Sequence, residues 1–266
     1  MQRDLFQHFD QSEWPFVEQV LDWETQAREY YQMVLTPFLN PREQFIVQSV
    51  IGQPDDLKIE SAGGFLDAEN SRLRICSSYI ETAVADFQLQ LFHIDYPKKF
   101  ATLTHGQIMG TLLGTGIQRN RLGDIVSASD ANGQLDWQVV VDRELDDFLR
   151  QTVTRMGHTR VELVPIDLEE AYPANTEWEV HESSVSSFRL DTLLAEGFHF
   201  SRTKVKTWIE NGAVKRNWLE TANPAQPVNE YDILSLRGAG RMRLDAKLSK
   251  TKKGNEWIRY SIIKSK

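Results

Sequence analysis

The residues with the clearest chemical pattern lie at the start of a short helix in the C-terminal third of the chain. Ser201 has the character of an N-cap residue, and the cations Arg202, Lys204 and Lys206 follow it closely. A helix N-terminus offers unpaired backbone N–H groups and favours negative charge, and hydroxyls and long cations add further donors. The pattern therefore favours binding of phosphate groups along a nucleic acid.

Two short helices and several strands must position these side chains. Leu190, Leu193 and Leu194 form the apolar stripe of a first helix, and Val205 and Ile209 mark the inner face of a second. An Asn-Gly pair at 211–212 predicts the end of the second helix, because glycine adopts the left-handed conformation of a C-terminal cap. The segments AVKRNW and YDILSLRG then read as strands.

This segment resembles the S4 RNA-binding domain, with its αL-type fold, over about 55–60 residues. The matching positions, in order, are Arg189-Leu190-Asp191, Ser201-Arg202, Val205, Ile209, Gly212, Val214, Asn217, Asp232 and Gly238-x-Gly240-Arg241. The resemblance implies that the domain grips structured RNA. The implied contacts are Arg189, Ser201, Arg202, Lys204, Lys206, Lys215, Arg216 and Asn217, and one basic face extends further through Arg237, Arg241 and Arg243.

One departure from the S4 pattern and one motif upstream of it indicate a narrower family. The pair Asn217-Trp218 stands where many S4 domains have Asn-Gly, and GTGIQRNRLGDI lies upstream at 114–125. Both are similar to the YlmH-type S4-domain proteins of Gram-positive bacteria, in which an RNA-binding α+β domain precedes the S4 domain. This resemblance implies association with the large ribosomal subunit carrying peptidyl-tRNA, rescue of stalled translation products, and a link to cell-division genes. Arg119 and Arg121 in this motif are either a second RNA contact or a solvated turn in which Arg119 pairs with Asp124.

Charge is distributed unevenly along the 266 residues. The formal net charge is −8, but residues 1–185 carry −16 and residues 186–266 carry +8. Such asymmetry is typical of a polyanion-binding module attached to an acidic one. The acidic part is a candidate surface for a protein partner.

The hydropathy pattern predicts an α+β protein in four parts. Residues 1–84 form a helical and β-hairpin region, and 85–170 follow the order β-α-β-β-α-β of a ferredoxin-like (RRM-like) domain, with a turn at Asn132-Gly133. A polar, strand-containing linker over 171–185 leads to the S4 domain over 186–266, which ends in a basic hairpin.

Other motifs give weaker indications of a catalytic, dinucleotide or metal site. Asp191 resembles the nucleophile of a pseudouridine synthase loop, but too few residues follow it for a synthase domain. The glycines at 110, 114 and 116 lie in and after a helix rather than before one, so close packing and a helix cap are favoured over a dinucleotide site. His93 lacks a partner set, and Cys76 has neither a basic neighbour closer than Arg74 nor a His partner. We expect no cofactor, no metal and no catalytic residue.

The sequence thus predicts a non-enzymatic RNA-binding protein with rRNA and tRNA as partners. The alternative is an rRNA-modifying enzyme whose catalytic part is 87–167 and whose S4 domain delivers the substrate. No stretch of about 18 apolar residues is present, no secretory signal is apparent, and a single cysteine fits a reducing compartment, so a cytoplasmic monomer is expected.

Overall fold

The computed structural model describes residues 6–52, 54–129, 133–173, 178–250 and 254–264. The chain divides into two compact units, Met1–Asn175 and Thr176–Lys266. Among the described residues, no helix combines the length and apolar character needed to cross a membrane.

The N-terminal part of the first unit contains two helices and a three-stranded antiparallel sheet. The helices are α1 (Trp14–Glu29) and α2 (Pro41–Ile51); the strands are β1 (Val34–Leu39), β2 (Leu57–Ala62) and β3 (Ser71–Ser77), in the order β1-β3-β2. The Asn40 side chain caps α2 by accepting from the backbone N–H groups of Arg42 and Glu43.

The predicted hairpin is present as β2 and β3, but β1 was not predicted from the sequence. Pro37 interrupts that strand, and the pairing register shifts between Leu35 and Phe38. Proline has no N–H to donate, so it is tolerated at a sheet edge, which is where β1 lies. The proline and the irregular register together hide the strand pattern in the sequence.

The second part of the first unit has the predicted β-α-β-β-α-β order. Its elements are β4 (Leu89–Asp95), α3 (His105–Gly114), β5 (Leu122–Ser129), β6 (Leu135–Asp142), α4 (Asp146–Thr152) and β9 (Glu162–Ile166), with a small hairpin of β7 (Arg155–Met156) and β8 (Thr159–Arg160) before β9. The sheet order is β5-β6-β4-β9 and every pair is antiparallel, as in a ferredoxin-like fold. Asn132 of the predicted turn lies outside the described residues.

Both faces of this four-stranded sheet are covered. Phe92 and Val139 face α3 and α4, whereas the alternating residues Leu91 and Val140 face the N-terminal part. Phe38, Phe65 and Phe87 pack against that second face. The two predicted regions of the first unit therefore share an apolar core.

The C-terminal unit is a six-stranded sheet with two helices on one face. Its elements are β10 (Glu179–Val185), α5 (Leu190–Phe198), α6 (Arg202–Glu210), β11 (Val214–Arg216), β12 (Leu219–Glu220), β13 (Ile233–Leu236), β14 (Gly240–Lys250) and β15 (Glu256–Lys264), in the sheet order β10-β15-β14-β13-β11-β12. Strand β10 occupies part of the segment that the sequence assigns to a linker, and it pairs along its whole length with β15. The strand expected within that segment is therefore present, as an edge strand whose residues are mostly exposed or half-buried.

Short 3-10 turns complete the described structure. They span Gln11–Glu13, Val84–Phe87, Arg119–Arg121, Arg143–Leu145 and Leu168–Glu170.

Candidate nucleic-acid interface

The start of α6 has the cap that its sequence predicts. Ser201 has an extended backbone, and its hydroxyl accepts a hydrogen bond from the Lys204 N–H at 3.3 Å. His199 adopts the left-handed conformation at the end of α5, so the chain reverses within three residues. Gly212 follows α6 with φ +70°, as expected for a residue after a helix end.

A buried carboxylate connects the two helices. Asp191, 4% exposed, accepts from Nε and Nη2 of Arg189 at 3.0 Å each. It also accepts from Nη2 of Arg202 at 2.9 Å. Burial alone raises the pKa of Asp191, but the hydrogen bonds from Arg189 and Arg202 outweigh it and bring the pKa to about 2. The carboxylate is therefore ionised at neutral pH and fixes both guanidinium groups.

The two arginines remain at the surface despite this ion pair. Their side chains are 42% exposed for Arg189 and 53% for Arg202, and Nη1 of each makes no bond to Asp191. Lys206 lies one helical turn after Arg202, with a long contact of 3.7 Å to Glu210. We refer to Arg189, Ser201, Arg202, Lys204 and Lys206 as the helix surface.

Lys204 contacts two aromatic rings that were not connected with it from the sequence. Its Nζ lies 4.8 Å from the centroid of Phe200 and 4.7 Å from that of Trp208. The two rings meet edge to face. Phe200, Lys204 and Trp208 are spaced four residues apart, so they lie on one side of the helix start. This spacing in the sequence could have predicted the contact between the cation and the two rings.

Arg216 and Asn217 have internal roles in this structure. Nε of Arg216 donates to the buried Asp232 at 2.8 Å, and the side chain is only 22% exposed. The Asn217 amide donates to Asp232 at 2.6 Å and accepts from the Ile233 N–H. These bonds join β11 to β13, so both residues act mainly in shaping the sheet.

Three of the expected contacts lie away from the helix surface. Cross-strand pairing aligns Lys215 with Ser235 and Ser235 with Arg241, and Arg243 is on the same face two residues further on. The alternating residues, such as Met242, pack against the helices. Lys215, Arg241 and Arg243 are therefore on the opposite face of the sheet, because side chains alternate along a strand. The expectation of one continuous basic face is corrected accordingly.

Arg237 and Arg243 differ in their surroundings. Arg237 is exposed in the turn between β13 and β14. Arg243 donates to Asp245 at 2.6 Å and stacks on the Trp178 ring at 4.9 Å. Its cation is thus partly compensated within the domain.

The GTGIQRNRLGDI motif at 114–125 connects the two parts of the first unit through side-chain contacts. Asp124 accepts from the backbone N–H of Glu69 and from the Asn70 side chain, both at 2.6 Å, so it is not the partner of Arg119. Arg119 donates to the Leu122 carbonyl. Arg121 pairs with Asp142 at 2.9 Å and with Glu144 at 2.6 Å. Arg121 is therefore neutralised by two carboxylates.

His93, for which the sequence offers no partner set, has charged neighbours in the first unit. His93 Nε2 lies 2.7 Å from Asp136, whose other oxygen is 2.7 Å from Lys98 Nζ. Burial raises the pKa of the Cys76 thiol. In the part of the chain that the structure describes, no group of three or more His, Cys, Asp or Glu could hold a metal ion.

The glycines in and just after α3 have free space around their Cα atoms. Gly116 follows α3 with φ +91°, as expected near a helix end. A Cβ added at Gly110 or Gly114 would meet nothing within 4 Å, so the expected close packing is not observed there.

Comparisons with known proteins cover nearly the whole chain. Residues 12–80 match the family described as "YlmH, N-terminal", 83–170 match "Putative RNA-binding domain in YlmH", and 188–234 match "S4 domain". A Bacillus subtilis (strain 168) protein, "Ribosome-associated protein quality control protein P2", is 38% identical over 254 residues, which is 96% of each chain. A solved structure, "Cell division protein ylmH from Streptococcus pneumoniae", is similar with a TM-score of 0.51 and 26% identity, over 61% of this chain and 96% of that one.

Proposed function

Because the chain belongs to the YlmH family of S4-domain proteins, we propose that it binds ribosomal RNA through the helix surface. The observation that carries this proposal is the arrangement around Asp191. One buried carboxylate holds two half-exposed arginines beside Lys206. Preorganised guanidinium groups lose little freedom when they bind phosphate, and their planar N–H groups suit its oxygens.

The helix surface recognises the sugar-phosphate backbone and the shape of the RNA. Folded RNA presents phosphates and 2′-hydroxyls, and sequence reading is secondary for double-stranded regions. The Ser201 hydroxyl and the Lys204 cation, which lies over the Phe200 and Trp208 rings, add further contacts at the start of the helix. Affinity then depends on salt, because every neutralised phosphate releases counterions.

We further propose the large ribosomal subunit carrying peptidyl-tRNA as the particle that is bound. The printed name of the Bacillus subtilis relative supports a role in ribosome-associated quality control. The role is one of binding rather than catalysis, and its place is the cytoplasm, where ribosomes act.

The test removes two cations from the helix surface. In Arg202→Ala with Lys206→Ala, binding to purified ribosomal particles should weaken. Its log–log salt slope should fall by about 0.7–0.9 for each phosphate that the variant no longer neutralises. The measurement is co-sedimentation with small subunits, large subunits and stalled complexes over a range of KCl concentrations.

A matched control is available in the same unit. Arg259 and Lys250 each pair with one glutamate and are 50% and 74% exposed, so Arg259→Ala with Lys250→Ala removes the same charge. The control should bind nearly as well as the unaltered protein. Equal binding by both double variants would refute the helix surface as the contact, and co-sedimentation with small subunits alone would refute the choice of particle.

A further inference from the structure

One end of the ferredoxin-like domain carries a basic surface within an acidic region of the chain. Residues 1–185 contain 30 Asp and Glu against 14 Lys and Arg. No acidic residue occurs from 96 to 118 or from 151 to 161, and these two stretches hold four of the 14 cations: Lys98, Lys99, Arg155 and Arg160. The local excess of positive charge is what a net-acidic unit needs in order to approach a polyanion.

The fold brings the two stretches together where β4 ends. The chain leaves β4 through a turn at 96–104 and enters α3, and the β7–β8 hairpin packs beside the start of this helix. Pro97 and Arg160 line the same surface groove of about 620 Å³. Leu103 and Met156 lie in one apolar core beneath. We refer to Lys99, Phe100, Arg155 and Arg160 as the loop-end surface.

The loop-end surface combines an exposed ring with available cations. Phe100 is 89% exposed on a turn closed by its N–H to the Pro97 carbonyl. Lys99 and Arg160 are exposed, and neither forms an ion pair with a carboxylate among the described residues. Arg155 donates to the His158 carbonyl at 3.0 Å, and no carboxylate of the described residues pairs with it.

Acidic groups border this surface on one side. Asp95 and Glu162 face each other across β4 and β9 and line the groove together with Arg160. Lys98 is already engaged by Asp136 at 2.7 Å. Lys99, Arg155 and Arg160 are the cations of this surface that no carboxylate of the described residues pairs with, and Arg155 and Arg160 lie opposite each other in the β7–β8 hairpin.

The usual RNA platform of a ferredoxin-like domain is closed in this protein. RRM-type domains stack bases on the open face of their sheet. Here Phe38, Phe65 and Phe87 cover that face around Leu91 and Val140. The segment at 168–172 covers more of it, since the Gln138 side chain donates to one backbone carbonyl there and accepts from one backbone N–H. An RNA contact of this domain must use another surface.

We propose that the loop-end surface is a second RNA contact that takes an unpaired nucleotide. The base stacks on Phe100, and the flanking phosphates lie against Lys99 and Arg160. Stacking on an exposed aromatic ring with nearby cations is the common mode for unpaired RNA, because every base has a π face. A single exposed ring among cations fits a base better than it fits a lipid bilayer, which binds broader apolar faces.

The contact is separate from the helix surface and from the Arg119 and Arg121 motif. Antiparallel pairing places Leu89 and Leu122 with the end of β6, whereas Asp95 pairs near the start of β9. Arg119 and Arg121, just before β5, are thus at the other end of the sheet.

The experiment uses the full chain carrying Arg202→Ala and Lys206→Ala, so that the helix surface contributes little. The probe is a fluorescein-labelled 12-nucleotide oligouridylate, followed by anisotropy at several KCl concentrations. Adding Phe100→Ala should weaken binding at least about fivefold, the lower end of what one stacked base contributes. Adding Lys99→Ala with Arg160→Ala should reduce the salt slope by about 1.4, at about 0.7 for each single-strand phosphate.

Matched controls sit elsewhere on the same unit. Tyr79 is 92% exposed, so Tyr79→Ala removes an equally exposed ring, and Arg143→Ala with Arg28→Ala removes two other cations. Phe100→Tyr should retain binding because the ring is kept. Thermal unfolding followed by circular dichroism verifies that each variant is folded.

Three outcomes would overturn the proposal. The first is equal affinity of Phe100→Ala and Tyr79→Ala, and the second is no oligouridylate binding by the starting double variant. The third is a loss of binding to phosphatidylglycerol vesicles in Phe100→Ala with no change for RNA, which would assign the surface to a membrane. None of these depends on ribosome co-sedimentation, so the two proposals fail separately.

Discussion

The carboxylate of Asp191 sets the geometry of the helix surface although it is itself buried. The S4 sequence pattern identifies the position of Asp191, but it does not show that the residue binds two arginines. Its two oxygens hold Arg189 and Arg202, which are 13 positions apart in the chain. Removing its charge should therefore release both arginines without removing a cation.

The first prediction at this scale concerns RNA affinity. Asp191→Asn makes the domain one charge more positive, so simple electrostatics predicts tighter binding. We expect weaker binding to ribosomal particles instead, by about three- to tenfold, because the guanidinium groups must be ordered again on binding. Co-sedimentation at one KCl concentration measures this, and tighter binding by Asp191→Asn would contradict a positioning role.

The second prediction concerns acid stability. The pKa of Asp191 is about 2 in the fold and near its ordinary value of 3.8 when unfolded. The stabilisation is therefore complete above about pH 5, amounts to about 2 kcal/mol, and is lost as the pH falls through 3.8 toward 2. Urea unfolding of the native protein and Asp191→Asn should show free energies of unfolding that differ at pH 7 and converge toward pH 2. A constant difference would show that the ion pair is not the cause.

At the scale of elements, the tight turn between β13 and β14 joins two interior strands of the sheet beside Arg237. Gly238 and Gly240 both have positive φ, +78° and +135°. Their surroundings differ: a Cβ at Gly240 would lie 2.0 Å from the Ile263 carbonyl oxygen, whereas one at Gly238 would meet nothing within 4 Å. The two glycines of one motif therefore serve different purposes.

The third prediction compares alanine at these two positions. Gly240→Ala should lower the free energy of unfolding by about 3 kcal/mol or more, because the paired backbone of β15 cannot move aside. Gly238→Ala should cost about 1 kcal/mol, which is the backbone strain alone. Urea unfolding of the two variants provides the comparison, and an equal cost would contradict the close approach to Ile263.

At the scale of the molecule, the two predicted regions of the first unit pack together as one compact unit. A Cβ at Gly123 would lie 2.8 Å from the Phe38 ring, and one at Gly64 would lie 2.7 Å from Val140. Arg72 reaches from β3 to the Gln88 carbonyl and Asp142. The family boundary near residue 80 therefore runs through a packed interface.

The fourth prediction follows from this shared core. A fragment of residues 81–173 should aggregate or lose cooperative unfolding, because Leu89, Leu91 and Val140 would face water. Residues 1–173 should instead unfold in a single transition. Size-exclusion chromatography and thermal unfolding of the two fragments measure this, and a stable, monomeric 81–173 fragment would contradict it.

Local patterns in the sequence determined much of this protein. The S4 pattern, the α6 cap at Ser201, the β-α-β-β-α-β order and the division of charge all depend on spacings of a few residues or on composition. The resemblance to YlmH proteins was confirmed by the comparisons. The selection of contact residues on the S4 domain stays a prediction.

Only the tertiary structure decided which of these residues share a surface. Strand register separated Lys215, Arg241 and Arg243 from the helices, because a shift of one residue along a strand exchanges the two faces of a sheet. Arg216 forms an ion pair with Asp232, and Arg121 forms one with Asp142. Both arginines therefore have internal partners that are far from them in the sequence. The N-terminal part of the first unit covers one face of the β5-β6-β4-β9 sheet. Such contacts join residues far apart in the chain, and no local spacing encodes them.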